Sequence, residues 1–318
     1  MKIKHIFPQE FFQEEESVFK ISRETKWIWA VLIDLLAEFD RVCRRYGIKY
    51  SIDGGTMLGK VRHNGIIPWD DDIDVIITRP EYEKLLEVAD REFVHPYFFQ
   101  TMQSDPEAVR GHPQLRNSST TAILKRESVN GRAVYKTFNQ GIFLDVFVLD
   151  AIPDDAHERM IYFSELERLK ELMYRVRNAR HLHVKWGMSP RSVLNIIRCL
   201  KEKIYFACVG MKTGMDPLVF YQNEFDRACR RYEHINTKYV SHLLFVPNPP
   251  ENMIFEREKI LDTDDVEFMG LKVLMLREWD YYLSHLYGDW KKFVVGASQH
   301  GGCIFDVEHP YTDYFLEA

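Results

Sequence analysis

The sequence predicts a mixed α/β fold, on three observations. Apolar residues recur at helical spacing over 23–46, strand-like patterns at 48–52 and 72–78 flank a glycine turn, and the texture becomes helical from Asp154 to about Ile235 before a short mixed return. Four parts follow: an amino-terminal arm (1–22), an α/β core (23–153), a helical region (154–235), and a carboxy-terminal α+β segment (236–318) that completes the core.

The first helix carries Ile28, Leu32, Leu35, Leu36, Phe39, Val42 and Cys43 on one face, with Ser22 placed to cap it and Gly47 to end it. Ile48, Tyr50 and Ile52 then alternate with polar residues, as in a half-buried strand. Asp53-Gly54-Gly55 breaks that strand, and a short helix with Leu58 and Val61 follows. A second strand runs from Asp72 to Thr78, and Pro80 opens a helix reaching about Phe93. Short strands are expected at Tyr97–Met102, Leu115–Asn117, Ala122–Lys125 and Gly141–Leu149. The helical region should break at Gly187–Pro190 and Gly210–Pro217. The return holds a strand (Val240–Val246), a hairpin around Gly270 and a helix ending at Gly288.

The composition of the 318 residues, 46% apolar and 28% charged, excludes a disordered chain, a collagen-like chain and a coiled coil. Forty-two basic against forty-eight acidic residues leave a net charge of −6, which gives no global attraction to nucleic acid. Cysteines 43, 199, 208, 229 and 303 form no Cys-x-x-Cys pair, so neither a disulfide framework nor a structural zinc site is expected. No run approaches the roughly 20 apolar residues that cross a bilayer, and the amino terminus turns acidic too soon for a signal peptide. A cytoplasmic, reduced protein is the expectation.

The carboxylates carry the chemistry. In a strand, Asp72 and Asp74 share one face while Ile73, Val75 and Ile77 share the other. Two such carboxylates repel each other, and hard oxygen ligands suit Mg²⁺ or Mn²⁺ between them, with Asp70 as a further candidate ligand. Asp70, Asp72, Asp74 and Glu81 also fit positions 1, 3, 5 and 12 of a calcium loop, but Val75 stands where its sharp turn needs glycine. Asp145, inside an apolar strand, needs a cation or a donor, since an unpaired buried charge is costly. A salt bridge would satisfy it; beside Asp72 and Asp74, it would equally complete a two-metal site. Gly54, Gly55 and Thr56 could cradle phosphates at a helix start, with Arg62, His63 and Arg116 as cations.

These residues resemble the LicD family. The resemblance rests on Asp53-Gly54-Gly55-Thr56-Met57-Leu58-Gly59, Val61-Arg62-His63, Gly65 to Asp74, Gly141 to Phe147, and Tyr282-Leu283 followed by Leu286 to Trp290. Lys60 stands in place of a small residue, and Lys291-Lys292-Phe293 in place of a proline-containing stretch. The resemblance implies a nucleotidyltransferase-like mixed sheet flanked by helices. It also implies transfer of phosphocholine or a related phospho-alcohol from a CDP-linked donor such as CDP-choline to a cell-surface glycan. Asp72 and Asp74 would hold the metal, with Asp145 as ligand or base.

A true nucleotidyltransferase would use the same carboxylates, and an inactive glycan- or nucleotide-binding protein would have no use for so costly a charge cluster. The helical region remains unmatched. Ile196-Ile197, Leu200 and Ile204-Tyr205-Phe206, with Arg198, Lys201 and Lys203, suit packing on the core or peripheral contact with a membrane's inner face.

Overall fold

The computed structural model describes residues 3–13, 15–16, 20–181, 190–243, 251–294 and 302–315. The expected break at Gly187–Pro190, short of Pro190 itself, and the expected strand beyond Leu243 lie outside the described residues.

Helix α1 (Arg23–Tyr46) starts where Ser22 Oγ accepts the Thr25 amide at 3.1 Å. It ends at Gly47, whose φ of 63° is a left-handed stop. Strand β1 (Ser51–Ile52) leads into α2 (Gly54–His63), then β2 (Asp74–Thr78) and α3 (Arg79–Glu92). Strands β3 (Tyr97–Gln100), β4 (Gln114–Asn117), β5 (Thr121–Leu124) and β6 (Ile142–Ile152) follow. The second strand is thus shorter than its sequence pattern, and Asp72 lies in the extended approach to it. The glycines form the first turn of α2 instead of a break before it.

Strand β6 is the spine of an open, mixed sheet. Along one edge β2 runs parallel to it, with Asp145 opposite Asp74 and Leu149 opposite Thr78. The other edge pairs antiparallel with β4, which sets Gln114 opposite Asp145. Strand β1 extends the sheet beyond β2, and β3 extends it beyond β4. All but one of the eleven β6 residues are buried, so both faces are covered and apolar alternation is lost. Helices α1 and α3 touch each other and lie against β6.

The helical region comprises α4 (Ala156–His181), α5 (Pro190–Thr213) and α6 (Pro217–Cys229). The expected break at Gly210–Pro217 narrows to Gly214–Asp216, because α5 continues through Gly210 to Thr213. Tyr162 Oη of α4 donates to the Ala228 carbonyl of α6 at 3.0 Å. The region is fastened to the core: Arg177 donates to the Ala108 carbonyl at 3.1 Å and Gln222 to that of Pro106 at 2.8 Å. Buried Arg79 forks onto Asp150 of β6 at 2.6 and 3.0 Å and reaches Asp226 of α6 at 3.2 Å. On α5, Cys199 and Phe206 point inward while Ile197, Leu200, Ile204 and Met211 are exposed. No helix among the described residues is long and apolar enough to cross a membrane.

The last segment returns to the core. Strand β7 (Tyr239–His242) pairs with the far end of β6, and β8 (Ile254–Glu256) pairs with β7. Strands β9 (Thr263–Phe268) and β10 (Leu271–Leu276) form the expected hairpin; Met269 (φ 51°) and Gly270 (φ 80°) make a two-residue turn with both φ values positive. It is tied to β1 where Ser51 Oγ accepts the Leu276 amide at 2.9 Å. Helix α7 (Trp279–Tyr287) packs on α2, and β11 (Cys303–Asp306) pairs with β5.

Candidate active site

The site begins at the α2 amino terminus. Asp53 is the N-cap, and its Oδ1 accepts the Gly54 amide and the Tyr282 hydroxyl, each at 2.6 Å. Burial lifts the Asp53 carboxyl to about 6, against the opposing pull of these two donors. Gly54 has a φ of +46°. A Cβ there would lie 3.4 Å from Tyr287 Oη and 3.8 Å from Asp74 Oδ2; one on Gly55 would lie 2.9 Å from Asp70 Oδ2. Glycine therefore lets the helix start sit directly against the carboxylates. Thr56 Oγ1 accepts the Asp74 amide at 2.9 Å, and the Asp53 amide donates to the Asp74 carbonyl at 2.9 Å. Together these bonds fix the first residue of β2.

Carboxylate oxygens of Asp70, Asp71 and Asp72 lie within 4.8 Å of one another. Asp70 and Asp72 are close enough for each to act on the other's charge. Burial, then the charge of Asp70, raises Asp72 well above the usual carboxylate range; burial, then the charges of Asp72 and Asp145, does the same to Asp74. Among the described residues, Asp74 Oδ1 is buried with no hydrogen-bond donor. A crowded, buried acidic group beside an orphaned carboxylate oxygen fits a divalent cation.

Asp145 is 1% exposed; its Oδ1 lies 2.8 Å from His112 Nε2 and accepts Gln114 Nε2 at 2.5 Å. It faces the Asp72–Asp74 side, since its charge acts on both carboxyls.

The expected cations separate. Arg62 and His63, at the end of α2, are half-buried. The Arg62 guanidinium lies 5.0 Å from the Phe293 ring, and His63 meets Trp69 edge-on at 6.0 Å. Arg116 does not open onto the site. It is buried and donates to Gln100 Oε1 at 2.5 Å, to the Gly141 carbonyl at 2.6 Å and to Gln114 Oε1. Burial drops its pKa to about 9. Its position behind Gln114 makes it a brace for the Asp145 partner instead of a phosphate contact.

Sequence reasoning missed His112, Gln114 and the role of Tyr282. Tyr282 lies in the last of the resembling segments, which was the available signal. His112 and Gln114 gave none, because only the β4–β6 register brings them to Asp145.

Residues 47–141 match the family model described as LicD/FKTN/FKRP, nucleotidyltransferase domain. The chain is 31% identical over 166 residues to the lipopolysaccharide cholinephosphotransferase LicD of Haemophilus influenzae, a match covering 52% of this chain and 58% of that protein. It is 28% identical over 143 residues to an uncharacterized protein of Rickettsia prowazekii, covering 45% and 46% of the two chains. The chain thus spans about half the length of these curated relatives.

Proposed function

We propose, from the premise that residues 47–141 form a domain of the LicD family, that this protein is a transferase. It moves phosphocholine, or a related phospho-alcohol, from a CDP-linked donor to a hydroxyl of a cell-surface glycan. The observation that carries this reading is the carboxylate cluster of Asp70, Asp71 and Asp72, with Asp70 and neighbouring Asp74 set against the α2 amino terminus and Asp145 opposite Asp74 across the strand pair.

The donor diphosphate would lie at the Gly54–Gly55 turn, where amide donors and the helix dipole favour negative charge. Arg62 would add a fork of donors from the far end of α2. Mg²⁺ or Mn²⁺ held by Asp70, Asp72 and Asp74, when bound, would neutralise diphosphate charge and the charge appearing on the leaving CMP. The acceptor hydroxyl oxygen attacks the distal phosphorus; the new O–P bond forms as the bond to the CMP oxygen breaks. The hydroxyl proton passes to Asp145, whose carboxylate His112 and Gln114 hold in place. CMP departs as the anion. Exposed Ile197, Leu200 and Ile204 on α5, beside exposed Lys201 and Lys203, support docking at the inner face of a membrane; co-sedimentation with anionic vesicles tests that point.

The deciding experiment supplies choline-labelled CDP-choline and purified lipopolysaccharide with Mg²⁺. Label on the glycan and free CMP in solution are expected. Cytidine attached to the glycan would show nucleotidyl transfer instead.

A further inference from the structure

Beyond Asp145, away from the Gly54–Gly55 turn, lies a second cavity of about 410 Å³ between the core and α4. Its wall includes Arg110, Arg126, Lys170 and Arg177, against the carboxylate of Glu127. Lys170, Tyr174 and Arg177 recur at i, i+4 and i+7, so α4 presents them on one face. Glu127 is buried and positions Arg110, whose two terminal nitrogens donate to it at 3.1 and 2.7 Å; Arg177 lies 3.8 Å away. The Arg177 guanidinium is flanked by the rings of Tyr135 at 5.2 Å and Tyr174 at 5.3 Å. Yet among the described residues the Nε atoms of Arg110 and Arg177 are both buried with no acceptor. Four cationic side chains line the cavity against a single carboxylate that engages two of them, and two buried N–H groups are left over, which suits an anion.

The approach to the pocket is strained in the same sense. Val109 is buried with φ of 42°, a left-handed backbone that a β-branched residue rarely adopts. It immediately precedes Arg110, and such outliers gather where the surrounding structure needs a particular geometry. His112, three residues on, lines the pocket and also contacts Asp145, so the cavity adjoins the reacting end of the site. In the strand order β1–β2–β6–β4, the glycine turn follows β1 on the β2 side of β6, whereas His112, which lines the cavity, precedes β4 on the opposite side.

We propose that this cavity is the acceptor subsite, and that it holds a phosphate or carboxylate group carried by the acceptor glycan. The anion anchors the sugar so that a neighbouring hydroxyl reaches Asp145. This rests on the transferase reading for the identity of the sites, but the pocket's preference for anions is testable without it.

The test titrates the full chain with glucose 6-phosphate and with glucose by calorimetry, with and without saturating CDP-choline. Wild type should bind glucose 6-phosphate and not glucose, and CDP-choline should leave that binding in place. Lys170→Gln combined with Arg126→Glu should weaken it by about tenfold or more, the scale of a lost charge-assisted contact, while CDP-choline affinity stays within about twofold. Arg126 is exposed, so Arg126→Glu alone gives a folded variant in which part of the loss must still appear. Unchanged glucose 6-phosphate affinity in both variants overturns the proposal. So does mutual exclusion of the two ligands with both affinities lost, which would make the cavity the donor's. If wild type ignores CDP-choline yet binds glucose 6-phosphate through Lys170 and Arg126, the transferase reading falls and the anion site stands.

Discussion

Asp74 and Asp145 are direct neighbours across the parallel β2–β6 pair, yet their surroundings are opposite. Asp145 Oδ1 has two close polar contacts, whereas among the described residues Asp74 Oδ1 is enclosed without a donor. One carboxylate is positioned by neighbouring side chains, and among the described residues the other has an oxygen free to take a ligand. That difference divides their roles and sets the first expectation.

Asp74→Asn should abolish turnover while leaving the fold intact. In metal-free buffer it should raise the melting temperature by about 2 °C or more, because removing one charge relieves repulsion within the cluster. With Mg²⁺ added, wild type should gain stability and the variant should not. Calorimetric scans with and without chelator check both signs, and a fully active variant overturns the metal assignment.

Two glycines of α2 should fail in different ways. A Cβ at Gly55 meets the end of the mobile Asp70 side chain at 2.9 Å, so Gly55→Ala should fold but displace that carboxylate and lower activity. A Cβ at Gly59 would lie 2.5 Å from the Gly65 carbonyl, a backbone atom. Gly59→Ala should therefore cost about 1–3 kcal/mol of stability, the usual scale of overpacking. Urea melts alongside kcat distinguish the two.

Arg62 and Arg116 should likewise separate. Arg62→Ala should reduce kcat/KM for the CDP-linked donor by about tenfold or more, with a smaller effect on acceptor KM. Arg116→Ala should instead destabilise the protein by about 3 kcal/mol, since Gln100, Gln114 and the Gly141 carbonyl lose a buried donor. Equal denaturation midpoints for wild type and Arg116→Ala would refute the bracing role.

His242 predicts a pH dependence. Burial, aided by the charge of His112, drops its folded pKa from 6.5 to about 3. Between those values the unfolded chain binds a proton that the folded one refuses, so stability falls as pH falls, by about 1.4 kcal/mol per unit at most. Above pH 6.5 this contribution is fully present. His242→Gln should be flatter over that window in denaturation measured at successive pH values; parallel wild-type and variant curves would refute it.

The carboxylates were legible in the sequence because they break its patterns: Asp72 and Asp74 crowd one strand end, and Asp145 interrupts an apolar run. Helix α1 was legible because its cap, periodicity and terminal glycine agree. What surrounds the carboxylates was not. Arg116 looks like any strand arginine until the β3–β4–β6 pairing closes Gln100, Gln114 and Gly141 around it. The cap on Asp53 depends on Tyr282, which no local pattern connects to it. The strand start shifted from Asp72 to Asp74 because charge repulsion and the Thr56 bond, neither of them periodic, decide where pairing begins.

That long-range cap also bears on how the molecule is made. Asp53 and Tyr282 are 229 residues apart, and a ribosome delivers the carboxylates long before the tyrosine. Until those later residues emerge, the nascent segment carries its acidic cluster without Tyr282 or the β9–β10 hairpin that braces β1. The segment carrying Tyr282, which emerges well after the carboxylates, is therefore what turns the sheet into a formed site. A chain stopped before Tyr282 should keep much of its core and lack the chemistry.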